Sequence, residues 1–132
     1  MGEMIRTWSV SFLVAVALAA CGRGGATTTL AAPIQLAPGQ SVKLEDARFE
    51  VQFNGIASDS RCPSDVACVW AGEVLVQLAI SNEGRTTQHE VREMQSATVG
   101  GYNVTVLQVL PPPRSAQRIA AADYRVTLKI SR

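Results

Sequence analysis

Cys62 and Cys68 sit close together inside Asp-Ser-Arg-Cys-Pro-Ser-Asp-Val-Ala-Cys-Val-Trp-Ala-Gly-Glu at residues 59–73, and no other feature restricts the chain as much. A bridge between them closes a very short ring, for which loop entropy gives about 2–2.5 kcal/mol of stabilisation. For a small domain that is a large share of the total. Pro63 fixes φ just inside the ring, Ser64 and Asp65 supply turn chemistry, and Trp70 brings a large apolar surface. The stretch therefore predicts a structural clasp that leads into a strand, with Trp70 packed against the bridge. A redox pair fits less well. Such pairs are Cys-x-x-Cys at the start of a helix, whereas five residues intervene here and β-branched and aromatic residues follow.

The compartment of these thiols is set by the start of the chain. Residues 8–20 form an uncharged apolar run behind Arg6, of the length of a signal h-region and too short to span a bilayer comfortably. Leu18-Ala19-Ala20-Cys21 directly after it resembles the lipobox of bacterial lipoproteins, in which the cysteine becomes the lipidated first residue of the mature chain. Three cysteines cannot all pair within one chain. One lipidated (Cys21) and two bridged (Cys62, Cys68) leaves no free thiol. By resemblance to the sorting pattern of double-membrane bacteria, Gly22 implies an outer-membrane destination facing the periplasm. The expected partner is thus a membrane, reached through a lipid on Cys21 rather than a spanning helix.

Residues 21–33 are small and Thr-rich without apolar periodicity, which predicts a flexible tether, and the folded domain is expected over 34–132. About 100 residues support one core and not two. The apolar fraction of 47% is inflated by the signal segment, and a net charge of +1 with interspersed signs excludes a nucleic-acid footprint.

Within the domain the apolar period is two. Val42 and Leu44 alternate after a Pro38-Gly39 turn, then Phe49, Val51 and Phe53 share one face. Asn54-Gly55 reads as a hairpin turn with a return strand from Ile56. Val74, Val76, Leu78 and Ile80 mark a central strand, residues 82–85 a turn, and the polar stretch 86–93 an edge strand. The run 102–110 changes phase near Leu107, which predicts a bulge, and Tyr124, Val126, Leu128 and Ile130 form the closing strand. Between them Pro111, Pro112 and Pro113 rule out a central strand, although residues up to Asp123 leave room for one helical turn. Seven or eight short strands without an amphipathic helix predict an all-β fold, an antiparallel β-sandwich, with a small barrel as the alternative.

Asp-Ser-Arg-Cys-Pro, Cys-Val-Trp-Ala-Gly-Glu, Gly-Gly-Tyr-x-Val, Pro-x-Pro and the final Tyr-Arg-Val-Thr-Leu together resemble a family of small secreted bacterial lipoproteins of uncharacterised function. The resemblance spans most of residues 39–130. It implies a lipid-anchored β-domain with Cys62 and Cys68 paired, and brings no activity.

No catalytic constellation is legible. His89 is the single histidine and lies in the polar edge strand without a neighbouring nucleophile. The carboxylate pairs, Glu45 with Asp46 and Glu90 with Glu93, suggest no cleft. Asp59, Asp65 and Glu73 flank the cysteine loop, but lack calcium-loop spacing, and Arg61 is expected to pair with one of them. The sequence therefore predicts no enzyme, metal or cofactor. It predicts an envelope binding or structural module whose candidate binding loop comprises Arg61, Asp65, Trp70, Pro112 and Arg114, with an envelope protein as a further partner. The alternative is a protease inhibitor like the small sandwiches of the chagasin type, echoed in Gly100-Gly101-Tyr102 and the proline-rich loop.

Overall fold

A computed structural model describes residues 26–45 and 47–132. The signal segment, Cys21 and the first residues of the tether lie outside the described residues, as does Asp46.

Nine strands follow in order: β1 (Ala26–Thr28), β2 (Ile34–Leu36), β3 (Ser41–Leu44), β4 (Phe49–Asp59), β5 (Val74–Asn82), β6 (Arg85–Arg92), β7 (Ser96–Val99), β8 (Tyr102–Leu110) and β9 (Arg125–Ser131). They build one five-stranded sheet, ordered β1-β3-β4-β5-β6, and one four-stranded sheet, ordered β2-β9-β8-β7. The sheets do not close into a barrel, and the fold is a sandwich. All strand pairs are antiparallel except β1 with β3, which makes the larger sheet mixed.

The period of two explains the core. Phe49, Val51 and Phe53 of β4 and Val74, Val76, Leu78 and Ile80 of β5 point inward from one sheet. Val104, Val106 and Val109 of β8 and Val126, Leu128 and Ile130 of β9 face them from the other, and all are buried. The phase change along β8 is a bulge between Val106 and Gln108, which turns Val109 back to the core face. β6 is the polar edge strand, with Val91 its buried apolar residue.

Two expectations are corrected, and one strand had none. Asn54-Gly55 is not a hairpin turn, because β4 runs on to Asp59 and pairs with β5 throughout. The positive φ of Gly55 is used in a bulge instead, with the register shifting between Phe53 and Gly55. A turn there would leave the start of β5 without backbone partners on that side. The described fold begins at Ala26 rather than Ile34, since β1 lies within the segment read as tether and buries Thr28 against β3. β7 had no sequence signal. It forms because Gly100 and Gly101, both at positive φ, make a tight turn that folds residues 96–99 back onto β8.

The two ends of the sandwich differ. The turn of Glu83 and Gly84 between β5 and β6 and the turn of Gly100 and Gly101 lie at one end. The long connections 60–73, between β4 and β5, and 111–124, between β8 and β9, leave from the other, hereafter the loop end. Among the described residues no helix is long and apolar enough to cross a membrane. The helical turn expected before the last strand is a single 3-10 turn at Ala121–Asp123.

Candidate functional site

The loop 60–73 is an extension of the β4–β5 ladder. Past Asp59 the N–H of Ser60 donates to the Glu73 carbonyl at 2.8 Å, and the N–H of Cys62 donates to the Ala71 carbonyl at 2.9 Å. The Ser60 hydroxyl adds a second tie, accepting the Glu73 N–H at 3.1 Å. Gly72 makes this closeness possible. Its φ is +67°, and a Cβ there would collide with the Ser60 carbonyl oxygen. The Cys62–Cys68 disulfide closes the tip, with Cα atoms 5.9 Å apart.

The ring is also tied sideways to the proline-rich connection. Ser64 donates its N–H to the Pro113 carbonyl at 2.8 Å, and its hydroxyl reaches the same oxygen at 3.2 Å. Asp65 accepts from the Ser115 N–H at 2.9 Å and from its hydroxyl at 2.6 Å. These two bonds hold the Asp65 carboxyl below the ordinary carboxylate range.

At the base lies a polar cluster that joins both sheets. Arg61 donates from Nε to Asp59 Oδ1 at 2.8 Å and from Nη2 to Oδ2 at 2.7 Å, with both side chains 12% exposed. Its remaining donors cross over, Nη1 to the Val109 carbonyl of the other sheet at 2.9 Å and Nη2 to the Pro111 carbonyl of the proline-rich connection at 3.1 Å. The Tyr124 hydroxyl donates to Asp59 Oδ2 at 2.9 Å. Burial pushes the Asp59 carboxyl up, but the bonds from Arg61 and Tyr124 outweigh it and leave the group below its ordinary value. Burial and then the bond to Asp59 raise the Tyr124 phenol. A shallow open groove of about 410 Å³ runs over this cluster, lined by Ile56, Arg118 and Ile119 among others. No buried side-chain polar atom among the described residues lacks a hydrogen-bond partner.

The predicted binding-loop residues thus divide. Arg61 is turned inward as a brace, as the expected pairing with a flanking acid implies. Asp65 fixes one loop to the other. Pro112 and Arg114 are exposed on the second loop. Trp70 is not packed against the disulfide: it is 83% exposed, and Val69 beside it is 93% exposed. The bridge has no apolar backing, because Cys68 and its neighbours are themselves exposed and offer the ring nothing to pack against. Val66 and Met94 are also exposed, and of the large apolar side chains left to solvent among the described residues only Leu30 stands away from the loop end. Tyr124, Ser115, Val66 and Val69 were absent from the sequence-derived set. Asp59 and Arg61, two apart, were the signal that could have led to the cluster.

His89 contacts Thr87 Oγ1 at 2.7 Å on β6, away from the loops. Glu73 pairs with Arg92 at 2.7 Å, so the acids flanking the ring are each engaged inside the protein. Among the described residues no group of three or more His, Cys, Asp or Glu is placed to hold a metal ion. Gly100-Gly101-Tyr102 and the proline-rich loop stand at opposite ends of β8 and cannot form one wedge. No protein family, curated protein or solved structure matches the chain.

Proposed function

We propose that the chain is a lipid-anchored bacterial envelope lipoprotein, held through Cys21, whose sandwich is a non-catalytic binding or structural module that makes contact through its loop end. The observation that supports this reading most is the display of Val66, Val69 and Trp70 in water on a loop that is otherwise fully braced. A small domain gains nothing in stability from an exposed tryptophan, and clustered apolar side chains on a rigid support mark contact surfaces. A preformed loop loses little conformational entropy when it binds.

The full chain and its Cys21→Ser variant, fractionated from expressing cells, test the anchor. The native chain is expected in the membrane fraction with an acylated N-terminal cysteine by mass spectrometry, and the variant released or unprocessed. A Cys21→Ser chain that still carries lipid and stays with the membrane contradicts the reading. The protease-inhibitor reading now rests on the joined loops 60–73 and 111–119 alone, and loss of activity across a protease panel incubated with the full chain would support it.

A further inference from the structure

We infer that the loop end seats on the bilayer surface itself, with Val69 and Trp70 inserted among lipid headgroups, an inference that rests on the proposed anchor at Cys21. The shortness of the tether and the chemistry of the loop end carry it. Ala26 of β1 lies level with Val42 and, through it, with Val51 of β4. β1 runs parallel to β3 and so opposite to β4, which makes Ala26 the end of β1 nearer the loop end.

Cys21 can stand at most about 18 Å from Ala26, the reach of five extended residues. Along β4 the distance from Val51 to Asp59 is about 20–25 Å, ordinary strand rise shortened by two bulges, and the ring projects further. A lipid on Cys21 therefore keeps Ala26 within about 18 Å of the membrane surface, and a domain leaning over on so short a tether meets that surface with its loop end or its β1 edge.

Chemistry selects the loop end. Val66, Val69, Trp70 and Met94 are exposed there, whereas exposed β1 residues are the small Ala26 and Thr27. Trp is suited to the headgroup level, where its ring is apolar and its N–H finds a partner. Arg114 and Arg118, exposed on the adjoining loop, match anionic headgroups. The disulfide and the ties to Pro113 and Ser115 fix the tip, so seating it orders little more of the chain.

Trp8 lies in the signal segment, so Trp70 is the sole tryptophan of a chain that begins at Cys21. The full mature protein, purified from membranes, is reconstituted in phosphatidylglycerol-containing vesicles with and without brominated acyl chains. The expected result is a blue-shifted Trp70 emission that is strongly quenched by bromine near the headgroups. Water-like, unquenched emission from an acylated chain overturns the inference and leaves the anchor standing. Absence of lipid mass on Cys21 overturns the anchor and this inference together. A blue shift that grows with protein density without bromine quenching assigns the tip to a second copy or a protein partner, and also overturns it.

Discussion

Arg61 and Asp59 face each other through two near-parallel hydrogen bonds, Nε to Oδ1 at 2.8 Å and Nη2 to Oδ2 at 2.7 Å, at the point where β4 gives way to the disulfide loop. The same guanidinium reaches the Val109 carbonyl of the opposite sheet and the Pro111 carbonyl just beyond its strand β8. One side chain thereby links the root of the loop, the partner sheet and the proline-rich connection. Paired, planar geometry of this kind is specific to Arg with a carboxylate.

Replacing Arg61 by alanine leaves Asp59 charged, largely buried and short of its main partner. The expected cost is about 2–4 kcal/mol in denaturant unfolding, because removing one member of a buried pair strands the other. Asp59→Asn in the same chain should recover part of that loss. Additive single effects would mean that the two side chains do not act as a unit.

Acid should loosen the loop end. Asp59 and Asp65 both titrate below their ordinary values in the folded protein, so they contribute stability above the unfolded carboxylate pKa of about 4. That contribution is lost as pH falls through the folded values. Unfolding free energy measured from pH 7 downward is expected to decline below about pH 4, and less steeply in Asp59→Asn. An unchanged slope in that variant would contradict the assigned bonds.

Much of the architecture was legible because burial on one face imposes strict alternation. Val126, Leu128 and Ile130 had no other face to take, and the phase change at Leu107 announced its bulge. Asn54-Gly55 misled because positive φ serves a bulge as well as a turn, and only the long-range pairing with β5 decides between them. β1 and β7 were hidden for a related reason: short strands at sheet edges are made by their neighbours rather than by their own residues. At the site, Arg61 with a flanking acid was readable from charge and spacing. The outward pose of Trp70 was not, since an aromatic beside cysteines gives no local sign of which way it points.

Gly72, the one glycine of the loop 60–73, should be much harder to replace than the turn glycine Gly84. Gly72→Ala combines a positive φ, worth about 1–2 kcal/mol against an L-residue, with a collision against the Ser60 carbonyl. Gly84→Ala has a similar φ of +81° but open space around it. Unfolding measurements should show the first variant clearly less stable than the second. Equal losses would contradict the close approach of residues 60 and 72.

The disulfide should act as a clasp and not as a reagent. Native protein treated with an alkylating agent is expected to show Cys62 and Cys68 unmodified by mass spectrometry. Cys62→Ser with Cys68→Ser should lower stability by about 2–2.5 kcal/mol, the loop-entropy value, with residual order in the denatured chain reducing it. Turnover of a dithiol substrate by the native pair would contradict the structural role.

The claim that the loop end is the contact surface is tested most directly by placing a photo-reactive amino acid at Val69 in the full chain and irradiating intact cells. The control is the same residue at Thr86, exposed at the end of β6 beside the Glu83-Gly84 turn, far from the loop end. Abundant adducts to phospholipid are expected from position 69, and only background from position 86. Equal yields at the two positions, or none at position 69, would contradict it.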